Sequence, residues 1–342
     1  MKRLLKFLGI ITAVGIAVAV GAGWYGNRLL EQPLTLPSEG AAFGIEPGAG
    51  LARVSEQLSA DGIISHPRLL RWYGQLSGQA AIKAGEYRLA PGLTSKSLLR
   101  KFVAGDVLLH ALTIVEGWNV RELLQALANH PALSQTMTDA DWPELLEAIG
   151  AGYDHPEGLF LPETYHFPRG TPDRDILRQA YALLEAALAD EWESRATGLP
   201  LESPYEALIL ASIIEKETGR ADERARIAGV FVRRLEQGMR LQTDPTVIYG
   251  LGDEFDGNLT RQHLQSYTDY NTYRRGGLPP TPIALAGRAA IHAALNPADG
   301  TELYFVATGL GDGSHRFSDT IEEHNAAVRV YLQRLRQAGN GQ

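Results

Sequence analysis

The sequence contains no cysteine, and this absence excludes several kinds of chemistry at once. Without thiols there is no disulfide, no thiolate metal site and no cysteine nucleophile. The chain also lacks a G-x-S-x-G elbow, an H-E-x-x-H pair, a P-loop and a calcium loop. Its nine histidines do not cluster at metal-ligand spacing. Acid–base chemistry by carboxylates, without a cofactor or a metal, is what remains.

Excess positive charge is missing as well. The 342 residues carry a net charge of -8, which argues against a general nucleic-acid binder. Charged residues make up 21% and hydrophobic residues 44% of the chain, so the composition is that of an ordinary globular protein. The length leaves room for a membrane anchor and two or three domains.

The N-terminus carries the longest apolar run. Lys2, Arg3 and Lys6 precede an uncharged run from Phe7 to Tyr25, which is about the length that spans a bilayer core. The flanking positive charges place the N-terminus in the cytoplasm and the rest of the chain outside. A cleaved signal peptide is the alternative, but the run is long for one. We therefore predict an uncleaved anchor over residues 1–30.

A weak internal repeat follows the anchor. Three times a short strand leads through a tight turn, at Gly48, Gly92 and Gly117, into an amphipathic helix. The first of these units resembles a LysM-like glycan-binding module. We predict such a module over residues 38–107 and a connecting strand–helix segment over 108–156. The alternative is a structural spacer, because Pro-Gly before a helix is also a plain turn.

The most informative stretch is predicted to be a helix, and typical capping residues stand at both of its ends. Ser203 is a good N-cap, and Pro204 suits the first helical position. Residues 207–214 form an almost unbroken apolar run, so we expect this helix to be buried on most sides. Gly219 is a natural stop. The apolar run leads directly into two carboxylates.

These two carboxylates, Glu215 and Glu217, are not equivalent. Ile213 and Ile214 lie behind Glu217 at helical spacing, whereas Ser212 lies behind Glu215. A carboxyl group on the apolar stripe is desolvated, which raises its pKa and leaves it a proton to donate near neutral pH. The alternative is a pair of solvated residues at a fraying helix end. The helical face therefore favours Glu217 as an acid.

Polar and aromatic side chains are mixed in two stretches further on. Leu241–Tyr249 and Tyr270–Tyr273 are predicted to be rigid and non-helical. Such groups bind sugars, because the rings stack on aromatics while amides and carboxylates take the hydroxyls. The alternative is that Asp, Asn, Thr and Pro simply form turns here.

With these residues identified, the sequence resembles the endolytic murein transglycosylase family, also called YceG-like proteins, over nearly the whole chain. Small departures exist, since Thr281 stands where the family often has Gly and Glu163 where Asp is usual. The motifs that carry the resemblance are Ala211–Thr218, Leu241–Tyr249, Tyr270–Tyr273, Gly277–Pro280 and His315-x-Phe317.

The resemblance implies a catalytic role for Glu217, with Glu215 and Ser212 in support. The implied reaction cuts the β-1,4 bond between N-acetylmuramic acid and N-acetylglucosamine within a glycan strand and leaves a 1,6-anhydro end. One carboxyl group serves as acid and then as base, and the reaction is expected to terminate strand elongation. The residues expected to hold the sugars are Gln242, Asp244, Thr246, Tyr249, Tyr270, Asn271, Tyr273 and His315.

We expect an α+β fold, with an N-terminal transmembrane helix, a small LysM-like α+β module and a larger α+β catalytic domain over residues 157–338. The expected location is the bacterial inner membrane, single-pass, with the catalytic domain in the periplasm. Expected partners are peptidoglycan glycan strands, the membrane and peptidoglycan synthases of the elongation or division machinery. The alternatives are a muramidase that hydrolyses the same bond, with Asp244 beside Glu217, and a non-catalytic peptidoglycan-binding scaffold.

Overall fold

The computed structural model describes residues 2–138 and 141–339. The chain divides into two compact units. Unit 1 comprises residues 1–110 and 166–171, and unit 2 comprises residues 111–165 and 172–342. Both units mix helices with short strands, so the expected α+β class agrees with the structure.

Unit 1 is built around a two-stranded antiparallel ribbon with helices packed on it. Phe43 lies opposite Tyr87 in the ribbon, and both rings pack against Phe102, with ring centroids 5.9 and 4.7 Å away. These residues belong to a hydrophobic core of this unit's own. The elements are α1 (Lys2–Leu30), β1 (Ala41–Ile45), α2 (Leu51–Ala60), α3 (Pro67–Leu76), β2 (Gly85–Leu89) and α4 (Ser95–Ala104).

The predicted repeat is present as local structure. Gly48 and Gly92 have φ of 79° and 89°, and each lies between a strand and the helix after it. Only glycine adopts this left-handed conformation without strain, which is why the repeat keeps glycine in the turn. The LysM-like assignment of residues 38–107 stays a prediction.

The N-terminal helix α1 contains one candidate membrane span. Its segment Gly9–Leu30 has a mean hydropathy of 1.6 over 22 residues. A helix rises about 1.5 Å per residue, so this segment is long enough to cross a hydrocarbon core.

Unit 2 is mostly helical, and three short strands, β3, β5 and β6, run across its boundary with unit 1. The remaining elements in chain order are β3 (Leu109–Thr113), α5 (Val120–Ala128), β4 (Leu133–Ser134), α6 (Trp142–Ala148), β5 (Thr164–Pro168), β6 (Thr171–Pro172), α7 (Asp173–Glu193), α8 (Pro204–Glu217), α9 (Ala221–Glu236), α10 (Asp244–Leu251), a 3-10 turn (Gly252–Glu254), α11 (Arg261–Gln265), α12 (Arg288–Leu295), β7 (Tyr304–Ala307), β8 (His315–Ser318) and α13 (Ile321–Gly339).

Helix α8 lies at the centre of unit 2, in contact with α7, α9, α10 and α12. The predicted N-cap is confirmed, since the Ser203 hydroxyl accepts a hydrogen bond from the Glu206 amide at 3.3 Å. Every residue from Ala207 to Ile214 is buried, as the apolar run predicts. The helix ends at Glu217, two residues before the glycine stop, because Thr218 is extended. Glu217 is thus the last residue of a buried helix.

The non-helical interpretation of Leu241–Tyr249 is wrong for most of this stretch. Asp244 begins helix α10, and Pro245 occupies its first turn. Proline is tolerated there because the first amides of a helix have no intrahelical partner, and an acidic residue suits the helix N-terminus. The Asp-Pro pair that suggested a turn is therefore a helix start.

A non-helical segment at residues 283–287 is held against α8 by hydrogen bonds. The Ser212 hydroxyl accepts from the Ile283 amide at 2.9 Å and donates to the Ile209 carbonyl at 2.7 Å. Two residues on, the Leu285 amide donates to the Trp118 carbonyl at 2.7 Å. Because Ser212 is fully buried, water cannot replace its hydroxyl at Ile283.

Replacing Ser212 by alanine should therefore destabilise unit 2. The Ile283 amide loses its buried acceptor, a cost of about 1–3 kcal/mol, which corresponds to a fall in Tm of roughly 3–10 °C. Ser194→Ala is the matched control, because that hydroxyl also donates to a helix carbonyl, at 3.0 Å, but is exposed. Thermal unfolding followed by circular dichroism should separate the two variants, and equal Tm values would contradict this role of Ser212.

Candidate active site

The Glu217 carboxyl group is half-buried at the C-terminal end of α8. One oxygen, Oε1, accepts a hydrogen bond from the Thr243 hydroxyl. Burial raises the pKa of Glu217 to about 7, and the nearby Asp244 carboxylate adds to the rise. The Thr243 hydrogen bond and the Arg234 guanidinium oppose it. The group therefore exists in both protonation states near neutral pH, as an acid–base catalyst requires.

Arg234 is a component of this site that the sequence analysis missed. It is 7% exposed, and its guanidinium donates to the carbonyls of Leu303 at 2.6 Å and Leu241 at 2.8 Å. It also lies 5.0 Å from the centroid of the Tyr304 ring. A buried cation fixed in this way places a permanent positive charge near Glu217. The one sequence signal for this role of Arg234 is its position on the inner side of helix α9.

Glu217 lines a cleft with a volume of about 540 Å³. Four of the predicted sugar-binding residues line the cleft with it, namely Gln242, Asp244, Tyr273 and His315. The rest of the lining comes mainly from β7 and α13, and includes Tyr304, Phe305, His324, Asn325, Val328 and Tyr331. The cleft thus combines aromatic surface with carboxylates and amides, the groups that the sequence analysis associated with sugars, and adds two imidazoles.

Three of these four residues are held by a neighbouring side chain. The Tyr273 hydroxyl donates to Asp244 Oδ1 at 2.6 Å. His315 Nδ1 contacts Glu223 Oε2 at 2.8 Å, and the His315 amide donates to the same carboxylate at 3.0 Å. Glu223 is buried, and the sequence analysis did not single it out. These contacts fix the polar groups that face the cleft.

Gln242 has an unusual backbone conformation. Its φ is 52°, and it is the one non-glycine residue with positive φ among residues 2–138 and 141–339. For a residue with a side chain this conformation costs about 1–2 kcal/mol. Strain of this kind is common where a chain must present a group to a ligand. Gln242 lies between the buried Leu241 and Thr243, whose hydroxyl donates a hydrogen bond to Glu217.

Thr246 and Asn271 do not line the cleft, contrary to the expectation that they contact sugar. Both are fully buried. The Thr246 hydroxyl donates to the Thr243 carbonyl at 2.9 Å. The Asn271 amide group donates to the Ser266 carbonyl at 2.6 Å and accepts from the Tyr273 amide at 3.0 Å. Their polar atoms bind the chain itself, so they shape the two segments that carry Thr243 and Tyr273.

Tyr249 and Tyr270 lie in a different place, a second cavity of about 930 Å³. Their rings meet edge to face, with centroids 4.9 Å apart. The Tyr249 hydroxyl donates to Glu157 Oε2 at 3.2 Å. Burial raises the pKa of Glu157 to about 7. Other residues that line this second cavity are Val120, Arg121, Leu124, Trp142, Lys216, Pro245, Ile248 and Ile283.

Glu215 and Ser212, the predicted supporting residues, bind backbone amides of a segment near Glu217. Glu215 Oε2 accepts from the Gly287 amide at 3.0 Å, and Glu215 Oε1 lies 3.9 Å from the Arg224 guanidinium. Burial raises the pKa of Glu215. Ser212 holds the same segment, residues 283–287, at Ile283. Both residues therefore position backbone near the site.

Comparison with known proteins identifies the class to which this arrangement belongs. The model of the YceG-like family matches residues 43–330. The chain therefore belongs to the YceG-like family, which confirms the resemblance seen in the sequence.

Named relatives agree with this assignment. A protein of Bacillus subtilis (strain 168) named endolytic murein transglycosylase is 29% identical over 336 residues, which cover 91% of this chain and 90% of the relative. A protein of the same name from Streptococcus pneumoniae serotype 2 (strain D39 / NCTC 7466) is 24% identical, and the match covers 93% of this chain but 64% of that relative. A crystal structure of a YceG-like protein from Listeria monocytogenes superposes with a TM-score of 0.53 at 30% identity, over 85% of this chain and 99% of that one.

The raised pKa of Glu217 predicts a pH-dependent gain in stability for Glu217→Gln. The ordinary pKa is 4.5 and the folded value is about 7, so folding holds the proton more tightly. That stabilisation is complete below pH 4.5 and is lost as the pH rises through 7. Gln does not titrate, so its stability relative to wild type should grow from pH 5 to pH 8 by about 2–3 kcal/mol. A stability difference that stays constant across this range would contradict it.

Proposed function

We propose that this protein is an endolytic peptidoglycan lytic transglycosylase, a membrane-anchored enzyme that cuts glycan strands internally. The observation that carries the proposal is the half-buried Glu217 carboxyl group, with its pKa near 7, at the edge of a cleft lined by aromatic and polar side chains. Membership of the YceG-like family and the printed names of the relatives support the same reaction.

The proposed reaction needs one carboxyl group in two protonation states. Protonated Glu217 donates its proton to the glycosidic oxygen, and the bond from that oxygen to C1 of N-acetylmuramic acid breaks. The C6 hydroxyl of the same sugar attacks C1 and gives its proton to the Glu217 carboxylate. The product is a 1,6-anhydro end, no water is consumed, and Glu217 regains its proton.

The surroundings of Glu217 suit both halves of this cycle. Burial favours the protonated acid, whereas Arg234 and the Thr243 hydroxyl favour the carboxylate that takes the second proton. Efficient acid–base catalysis needs a pKa near the working pH, because both forms must be populated. Gln242, Asp244, Tyr273 and His315 are the proposed sugar contacts in the cleft.

Hydrolysis of the same bond remains the alternative reaction. It requires a second carboxylate as base or nucleophile. Asp244 is the candidate, because it lines the cleft with Glu217 and its charge acts on that group. We assign Asp244 a positioning role instead, because its Oδ1 already accepts the Tyr273 hydroxyl.

Digests of purified peptidoglycan should distinguish the two reactions. Wild-type products should carry anhydro ends, which lack one water, and Glu217→Gln should lower the rate by about 10²–10⁴-fold because an amide supplies no proton. Asp244→Asn should be slower but should still give anhydro ends. Glu236→Gln is the matched control, since Glu236 is an exposed glutamate that also ends a helix. Mass spectrometry of the digests is the measurement. Reducing ends from the wild type, or a fully active Glu217→Gln, would contradict the proposed reaction.

The apolar helix supports a topology in which the enzyme acts outside the cytoplasm. We place the protein in the inner membrane with residues 31–342 in the periplasm, because basic residues precede the span. A reporter enzyme that is active only outside the cytoplasm, fused after Gln342, should be active. Activity of a reporter that works only in the cytoplasm would contradict this topology. Peptidoglycan synthases are proposed partners in that compartment.

Residues 38–107 are proposed as a LysM-like glycan-binding module. The order strand–helix–helix–strand, with β1 and β2 paired, supports this interpretation. Deleting the module should weaken binding to peptidoglycan sacculi in a pelleting assay while some cleavage remains, because Glu217 lies in the 157–338 domain. Unchanged binding would mean that the module is a spacer.

A further inference from the structure

The second cavity adjoins the Glu217 cleft at two points along the chain. Glu217 lines the cleft, and the residue before it, Lys216, lines the second cavity. In the same way Asp244 lines the cleft and Pro245 lines the second cavity. The end of α8 and the start of α10 therefore form a shared wall. A ligand that crosses this wall would have Glu217 at the crossing point.

The size of the second cavity suits part of a long ligand. Its volume is about 930 Å³, against about 540 Å³ for the cleft that contains Glu217. A strand that is cut internally continues on both sides of the broken bond. The cleft accounts for the sugars next to that bond, and the second cavity has room for those further along.

Most charged groups of the second cavity already have partners. Arg121 pairs with Asp253, and Lys216 donates to the Gly117 carbonyl at 3.0 Å. Both Glu157 oxygens accept from the Val120 amide, at 3.1 and 3.2 Å. The exception is Asp154, which also lines the cavity and has no partner among the described residues. One unpartnered carboxylate favours a neutral ligand over an anionic one.

What remains to face a ligand is mainly aromatic and aliphatic surface. Tyr249 and Tyr270 form one side of it, and Trp142, Leu124 and Ile248 add to it. Such surface stacks on the apolar faces of sugar rings and packs against acetamido methyl groups. The carboxylates of the peptide stems of peptidoglycan would instead be repelled by the Asp154 carboxylate.

We propose that the second cavity is a binding site for N-acetylated sugars of the glycan strand, beyond the sugars that flank the bond cut at Glu217. This inference rests on the proposed function. Glu157 is a positioning residue in this site, since it ties Tyr249 to the start of α5. If the second cavity binds these sugars, the affinity of the protein for a glycan strand increases with the length of the strand.

The test measures affinity against strand length in the Glu217→Gln background, where strands stay intact. The probes are stem-free glycan strands whose lactyl carboxyl groups are amidated and therefore neutral, a tetrasaccharide and a dodecasaccharide, titrated by calorimetry. The dodecasaccharide should bind more tightly than the tetrasaccharide. Tyr270→Ala removes one stacking ring, and Leu124→Trp fills the second cavity from another wall. Each should weaken dodecasaccharide binding by about tenfold and reduce the difference between the two probes.

Tyr267→Ala is the matched control, because Tyr267 is an exposed tyrosine that lines neither cavity. Equal affinity of the two probes for the Glu217→Gln protein would overturn the inference. So would weakened binding that appears only with strands that carry peptide stems. Cleavage by the wild type is measured separately, so a failure of this inference is distinct from a failure of the proposed function, in which no strand is cut.

Discussion

The desolvation of one carboxyl group at the end of a buried helix is the constraint on which this site depends. Helix α8 is buried from Ala207 to Ile214 because other helices surround it, and the same helices partly shield Glu217 from water. A carboxylate is less stable there than in water, so the proton stays bound to higher pH. The packing of unit 2 and the raised pKa of Glu217 thus have one cause.

Burial alone would keep Glu217 protonated above neutral pH, and two of the surrounding groups limit this effect. Arg234 and the Thr243 hydroxyl stabilise the charged form, and Asp244 destabilises it. Arg234 is itself anchored by backbone carbonyls, so its charge cannot move away when the carboxyl group is protonated. The balance between fixed partners and burial leaves the pKa near neutrality.

The sequence allowed the helix and its end to be predicted because both depend on local signals. An N-cap and an apolar run predict a buried helix that ends in carboxylates without any long-range information. Helical spacing alone did not predict that burial would raise the pKa of Glu215 as well as that of Glu217. The pair formed by Glu223 and His315 joins residues 92 positions apart, and no local pattern announces such a contact. Glu157 escaped notice for the same reason, since its partner Tyr249 is also 92 positions away. Asn271 was misjudged because an amide looks the same in a sequence whether it faces a ligand or its own backbone.

The segment at residues 283–287 has a consequence for how this family can vary in length. Alternate amides are fixed by different parts of the chain, at Ile283 by Ser212, at Leu285 by the Trp118 carbonyl and at Gly287 by Glu215. Inserting or deleting one residue between these positions would move at least one amide away from its acceptor. Homologous chains should therefore keep the spacing between these positions constant and place their insertions in exposed loops elsewhere.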